Sequence, residues 1–178
     1  MALPQSVPLT VEDLEAMPDD GHRYELVDGT LIVTPAPLVL HQRTVLKLAA
    51  LLLTAAGDDL DVLPAPFDYQ VSETTLLQPD IIVLRRQDLR GGRLAGTPLL
   101  VIEVHSPSTR LVDLGTKRLA FEAAGVPAYW VVDPRVPSLT AVRLEAGRYV
   151  EEAHVDGDAT FQSSFPFEVR VVPDELIA

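Results

Sequence analysis

The chain has 178 residues, no cysteine and a formal charge of −12, from 14 Lys and Arg against 26 Asp and Glu. The lack of cysteine excludes disulfides and thiolate metal sites and agrees with a reducing cytoplasm, while the acidic balance opposes generic nucleic-acid binding, because phosphates repel an acidic surface. The length suits a single domain over 1–178, with 1–9 as a flexible N-terminus, that buries a core without covalent staples.

Met1-Ala2-Leu3-Pro4-Gln5 has neither a basic start nor an apolar core, so no secretory leader is expected. Thr10 can cap a short helix through Met17, with Asp13 three residues on, and Pro18 and Gly21 stop it. Arg23–Asp28 and Thr30–Thr34 read as two strands around Asp28-Gly29, a favoured hairpin turn, and Pro35 and Pro37 end the pairing. A helix is expected over Val39–Ala56, with Val45, Leu48, Ala49 and Leu52 at helical spacing and Gly57 beyond its end. Leu48–Ala56 is the longest apolar run, interrupted by Thr54 and too short to span a bilayer, so no membrane partner is expected. Strands follow at Phe67–Val71, Asp80–Leu84 and Leu99–Val104. The last two are apolar runs, as expected when both faces of a sheet are covered. Val112–Ala124, closed by Gly125, reads as a helix and Ala128–Val132 as a buried strand. Ser138–Val172 reads as β-hairpins around Ala146-Gly147 and Asp156-Gly157. The fold class is therefore α/β in the α+β sense, a mixed sheet carrying helices, with the loops at 85–98 and 105–111 as the places for function. Arg85, Arg86, Arg90 and Arg93, and then Arg110, Lys117 and Arg118, are either local basic patches or ordinary solvated faces.

Glu103 interrupts the apolar strand Leu99-Leu100-Val101-Ile102-Glu103-Val104. A buried carboxylate must be paired, protonated or bound to a cation, unless it sits at the open end of its strand. Asp80 opens the strand Asp80-Ile81-Ile82-Val83-Leu84. If the two strands pair antiparallel, Asp80 lies beside Glu103, and a cation must neutralise the pair or one acid must keep a proton. Oxygen ligands of this kind favour magnesium, manganese or calcium over zinc. The plainer alternative makes Asp80 a polar residue that satisfies local backbone. Lys117 shares a helical stripe with Leu114, Phe121 and Ala124, so it either reaches the sheet over Glu103 or forms a surface pair with Asp113.

These residues belong to an ordered set: Tyr24-Glu25-Leu26-Val27-Asp28-Gly29, His41-Gln42, Gln78-Pro79-Asp80, Glu103-Val104-His105-Ser106-Pro107-Ser108-Thr109, Asp113, Lys117 and Gly125-Val126-Pro127-Ala128-Tyr129-Trp130-Val131-Val132-Asp133-Pro134. The set resembles the Uma-two (Uma2) family, bacterial restriction-endonuclease-like domains similar to PD-(D/E)XK nucleases, from about Thr10 to the C-terminus. The resemblance implies a restriction-endonuclease-like core. It also implies a metal site, for Mg2+ or Mn2+, made of Asp80, Glu103 and the Val104 carbonyl. Glu25 completes the acidic cluster unless it is an outward-facing strand residue. Gln42 lines the cleft unless it and His41 serve only as polar residues at a helix start. The usual nuclease pattern places lysine two residues after the glutamate, where this chain has His105. The resemblance implies that Lys117 takes that role. His105 is then a base, a metal neighbour or a hydrogen-bonded residue at the strand end.

Two functions follow as expectations. The first is a metal-dependent nuclease, acting on DNA and working as a homodimer, with Asp80, Glu103, Lys117 and Glu25 as its catalytic residues. The second is a non-catalytic binding or assembly module that keeps the nuclease fold, which the acidic balance favours.

Overall fold

The computed structural model describes residues 7–18, 20–106 and 113–178. Thr10 begins the first helix, α1 (Val11–Glu15), with a reciprocal cap. Its hydroxyl accepts from the Asp13 amide at 3.2 Å, and its own amide donates to the Asp13 carboxylate at 2.8 Å. Strands β1 (Arg23–Val27) and β2 (Thr30–Thr34) form the expected hairpin, with Asp28 at φ 48° and Gly29 at φ 75°. Gly29 is needed twice over, for its left-handed backbone and because a Cβ there would fall 2.3 Å from the Pro8 Cβ. Helix α2 (Val39–Ala55) follows and buries Thr44, Val45, Leu48 and Leu52 along one stripe.

The next strands are β3 (Leu60–Pro64), β4 (Tyr69–Ser72), β5 (Thr75–Leu77) and β6 (Ile81–Arg85). A short ribbon of β7 (Leu89–Arg90) and β8 (Arg93–Leu94) leads into β9 (Leu100–Val104). A π-helical turn at Asp113–Lys117 runs directly into α3 (Arg118–Ala123), which precedes β10 (Ala128–Asp133). The chain closes with β11 (Ser138–Glu145), β12 (Arg148–Asp156), β13 (Phe161–Ser163), β14 (Val169–Val171) and α4 (Pro173–Ile177).

Six strands make the main sheet in the order β12-β11-β10-β9-β6-β3, and four make a smaller sheet in the order β2-β1-β5-β4. Within the main sheet β9 and β10 run parallel, which their helical crossover permits, and the other neighbours are antiparallel. Alternation along the central strands divides the core. Ile81, Val83, Leu100, Ile102, Ala128 and Trp130 face α2 and the β13–β14 ribbon, while Ile82, Leu84, Val101 and Tyr129 face Phe121 of α3 and Val27, Tyr69 and Leu77 of the smaller sheet. The expected mixed sheet with helices on it is what the chain forms.

Two expectations need correction. Asp156-Gly157 is not a hairpin turn: β12 ends there, and β13 pairs with β14 in a separate ribbon that packs Phe161 edge-on against Trp130. The 85–98 connection joins the ends of β6 and β9 that are remote from Asp80 and Glu103, so that loop does not border the acids. Of the two readings of the basic stretches, the solvated face fits Arg85, Arg86, Arg90 and Arg93, which are all exposed. Arg86 pairs with Asp61 at 2.9 Å, Arg93 pairs with Glu15 at 3.3 Å, and Lys117 is buried. Arg110 and the expected helix start at Val112 lie outside the described residues.

Candidate active site

The pairing of β6 with β9 sets the site. Ile81 lies opposite Ile102 and Ile82 opposite Val101, so the same antiparallel register carried one step further brings Asp80 to Glu103. Alternation places Glu103 on the face shared with Val101, toward the smaller sheet. On that smaller sheet Arg23, Glu25 and Val27 share a side and point back at the main sheet, while Leu26 packs the other way on Val11 and Leu76. Glu25 is consequently 0% exposed, and the outward-facing alternative for it fails because both sides of β1 are covered.

Lys117 completes the inner part of the site. Its position in the π-helical turn carries the amine inward, and the side chain is 1% exposed. Nζ lies 2.9 Å from Glu25 Oε2 and 3.1 Å from Glu103 Oε1. An ammonium between two buried carboxylates is the pairing such burial requires. The other Glu25 oxygen accepts from the Gln78 amide at 2.8 Å, which ties β1 to the segment leading into Asp80.

Asp80 is held from several directions. Oδ2 accepts from the Val104 amide at 2.8 Å and faces His41 Nε2 at 3.1 Å, and Oδ1 takes Arg23 Nη1 at 3.1 Å. Burial alone would raise the Asp80 pKa, but the His41 contact, the Arg23 charge and the Val104 amide outweigh it and hold the carboxyl well below the usual range. Arg23 also reaches Glu25 Oε2 through Nε at 3.4 Å and Nη2 at 3.3 Å. Burial would lower its own pKa, yet Glu25, Glu103 and Asp80 together raise it, so the guanidinium stays charged.

This cluster opens on a cavity of about 710 Å³, lined by Arg23, His41, Gln42, Leu46, Pro64 and Asp80 among others. A second cavity of about 460 Å³ shares Arg23, His41 and Asp80. Of the two residues named at the start of α2, His41 is buried on Asp80, and Gln42 is exposed on the cavity wall. His105 follows the end of β9 and lines a different cavity, of about 260 Å³, with Asp133, Ser138, Thr140, His154 and Asp156, while its amide donates to Val132. At Val104 the amide is the group brought onto Asp80. Ser108 and Thr109 lie outside the described residues. Sequence reasoning missed Arg23, although a cation two residues before Glu25 in a strand shares its face, and that spacing could have revealed it.

A family model, Uma2, described as "putative restriction endonuclease", matches residues 11–172. The chain belongs to the Uma2 family. The fold of this Uma2 chain is similar to a crystal structure from Anabaena variabilis, described as a "putative nuclease belonging to DUF820", with a TM-score of 0.78 at 18% identity, over 96% of this chain and 98% of that one. No curated protein matches it.

Among the described residues no three His, Asp or Glu side chains stand in an arrangement that holds a metal ion. Arg23 and Lys117 are the cations lying between the acids. The donor chemistry of this Uma2 site nevertheless fits a divalent ion. Glu25, Asp80 and Glu103 offer carboxylate oxygens alone, and they outnumber the two cations, Arg23 and Lys117, paired with them. No helix among the described residues is long and apolar enough to cross a membrane.

Proposed function

We propose that this protein is a divalent-metal-dependent nuclease that hydrolyses phosphodiester bonds, with DNA as its substrate and the cytoplasm as its workplace. The observation that carries this reading is the fully buried Lys117 amine set between Glu25 and Glu103, behind an Asp80 that reaches the cavity. Asp80 and Glu103, with the Val104 carbonyl, would hold magnesium or manganese. Such an ion supplies positive charge at the phosphate and lowers the pKa of water. Lys117 orients Glu103 and Glu25, and it presents a fixed positive charge on the inner side of the site. Asp80 is aimed by His41 and the Val104 amide, which both meet Oδ2, while Arg23 holds Oδ1. Gln42 meets the substrate at the cavity wall. The test is cleavage of mixed single- and double-stranded DNA and RNA by purified protein with Mg2+, Mn2+ or EDTA. DNA cleavage is expected with either metal and not with EDTA. Metal-independent cleavage, or no cleavage of any nucleic acid, defeats the reading.

One observation favours the alternative, a non-catalytic module that keeps the fold. Among the described residues Arg23 is the one Arg or Lys lining either cavity at Asp80, and the chain carries −12 overall. Nucleic-acid binding without cleavage under all metal conditions is its signature.

A homodimer is part of the proposal. Val39, Leu46 and Leu53 of α2 are 75%, 70% and 63% exposed and recur every seven residues. An antiparallel pairing of two such helices about Leu46 sets Val39 against the partner's Leu53 and keeps Arg43 away from its own copy. A second copy therefore fits this face. Light scattering at micromolar concentration is expected to give a dimer, and Leu46→Lys a monomer. A wild-type monomer removes this part of the proposal.

A further inference from the structure

Arg23 stands on the cavity side of the acidic cluster, opposite Lys117. Its guanidinium spans two acids at once, with Nη1 at 3.1 Å from Asp80 and Nη2 at 3.3 Å from Glu25. The acids are 5% and 0% exposed, whereas the Arg23 side chain is 22% exposed and lines both cavities. Of the partners of Asp80, Val104 is backbone and His41 is buried. Arg23, the most exposed of these groups, is the partner that a solute in the cavity can reach.

Charge counting gives the consequence. With histidine neutral, the carboxylates of Glu25, Asp80 and Glu103 against Arg23 and Lys117 leave one negative charge. A divalent ion added to that set would overshoot to one positive charge in a buried site. The same ion in place of Arg23 brings the balance to zero, and it gains Asp80 Oδ1, the oxygen that Arg23 now holds. We infer that Arg23 is the built-in counter-cation of this site: it neutralises Asp80 and Glu25 while no metal is bound, and a divalent ion reaches Asp80 by displacing it. The affinity for metal is therefore set by competition with a residue of the chain. This inference rests on the proposed metal site and concerns a positioning residue, since Arg23 acts through the acids it releases.

The test is calorimetric titration of Mn2+ into the metal-free full-length protein, its Arg23→Gln and Arg23→Lys variants, and Asp80→Asn as a baseline. Arg23→Gln removes the competitor and is expected to bind Mn2+ about tenfold more tightly or better, because a charged hydrogen bond no longer has to be broken. Arg23→Lys keeps the charge without the planar fork and is expected to fall between that variant and wild type. The rise in Tm on adding Mn2+ should follow the same order. A merely structural role for Arg23 predicts weaker metal binding on its removal. If Arg23→Gln does not fold without metal, Arg23→Lys decides: tighter binding than wild type supports the inference, and equal or weaker binding overturns it. Wild-type binding with no gain in the variants overturns the Arg23 inference alone. Wild type and variants all binding no better than Asp80→Asn overturn both it and the metal-dependent reading.

Discussion

Glu25, Glu103 and Lys117 form a sealed group, each side chain at or below 1% exposure, whereas Asp80 sits at a strand end against His41 and Arg23, whose side chains are 10% and 22% exposed and line the cavities. Both halves pair carboxylates with cations, but their surroundings differ. In the sealed half no water can replace a lost partner, so the ion pairs are obligatory. In the half at the cavity, solvent and solutes can compete with Arg23 for Asp80, so that partner is exchangeable. The contrast locates rigidity on one side of the site and ligand exchange on the other.

Removing Lys117 should break that contrast hardest. Lys117→Ala is expected to abolish cleavage and to lower stability by about 3–5 kcal/mol, because two carboxylates are left facing each other without their shared cation. Urea denaturation measures it, and adding Glu25→Gln and Glu103→Gln to the lysine variant should recover most of the loss. Full cleavage by purified Lys117→Ala would remove its catalytic assignment.

Asp80→Ala should cost less stability, about 1–3 kcal/mol, because water can reach the groups it leaves behind, yet it should lose metal binding and cleavage together. A stability loss equal to that of Lys117→Ala would erase the distinction between the two halves.

The pH dependence of the metal-free protein sharpens the same point. The folded-state pKa of Asp80 is depressed, so the unfolded chain binds its proton first, near pH 3.9. The stability from this group is fully present above that value and is lost as pH falls through the lower folded-state pKa. Chemical denaturation between pH 6 and pH 3 should show stability falling at the acid end, and Asp80→Asn should make that fall shallower. An unchanged slope would mean that other carboxylates dominate it.

The smallest effect is expected at Gln42, which is exposed on the cavity wall. Gln42→Ala should leave stability within about 0.5 kcal/mol and alter substrate affinity more than turnover. A large stability loss would show that the wall is part of the core.

Much of this was legible beforehand because it is local. The Thr10 cap, the Asp28-Gly29 turn, the α2 stripe and the apolar strands β6, β9 and β10 follow from spacing and turn chemistry. The antiparallel pairing of β6 with β9 was reachable too, since Asp80 and Glu103 stand at opposite ends of two neighbouring apolar runs. Helical spacing alone left Lys117 between an inward stripe and a surface pair with Asp113, and the π-helical turn is what carries it inward. Strands β3 and β5 were missed: one is an edge strand of five residues ending in Pro64, and the other has three. Helix α4 is one turn long and is defined by its packing through Leu176.

What the sequence determined by itself is the elements and the faces on which Asp80 and Glu103 lie, because periodicity within a strand or helix fixes which side chains share a face, while the family resemblance pointed to Glu25 and Lys117. What only the tertiary structure decided is how those faces meet. Arg23 and Glu25 sit on one sheet, Asp80 and Glu103 on another, and His41 on a helix covering the far side of that second sheet. No spacing along the chain predicts that Arg23 lies 3.1 Å from Asp80, 57 residues away, or that His41 rather than Gln42 turns inward. Those contacts arise where two sheets and a helix converge at the ends of β6 and β9. There, buried charge is tolerated only when every carboxylate finds a cation or an amide, and that condition is met by distant parts of the chain packing together.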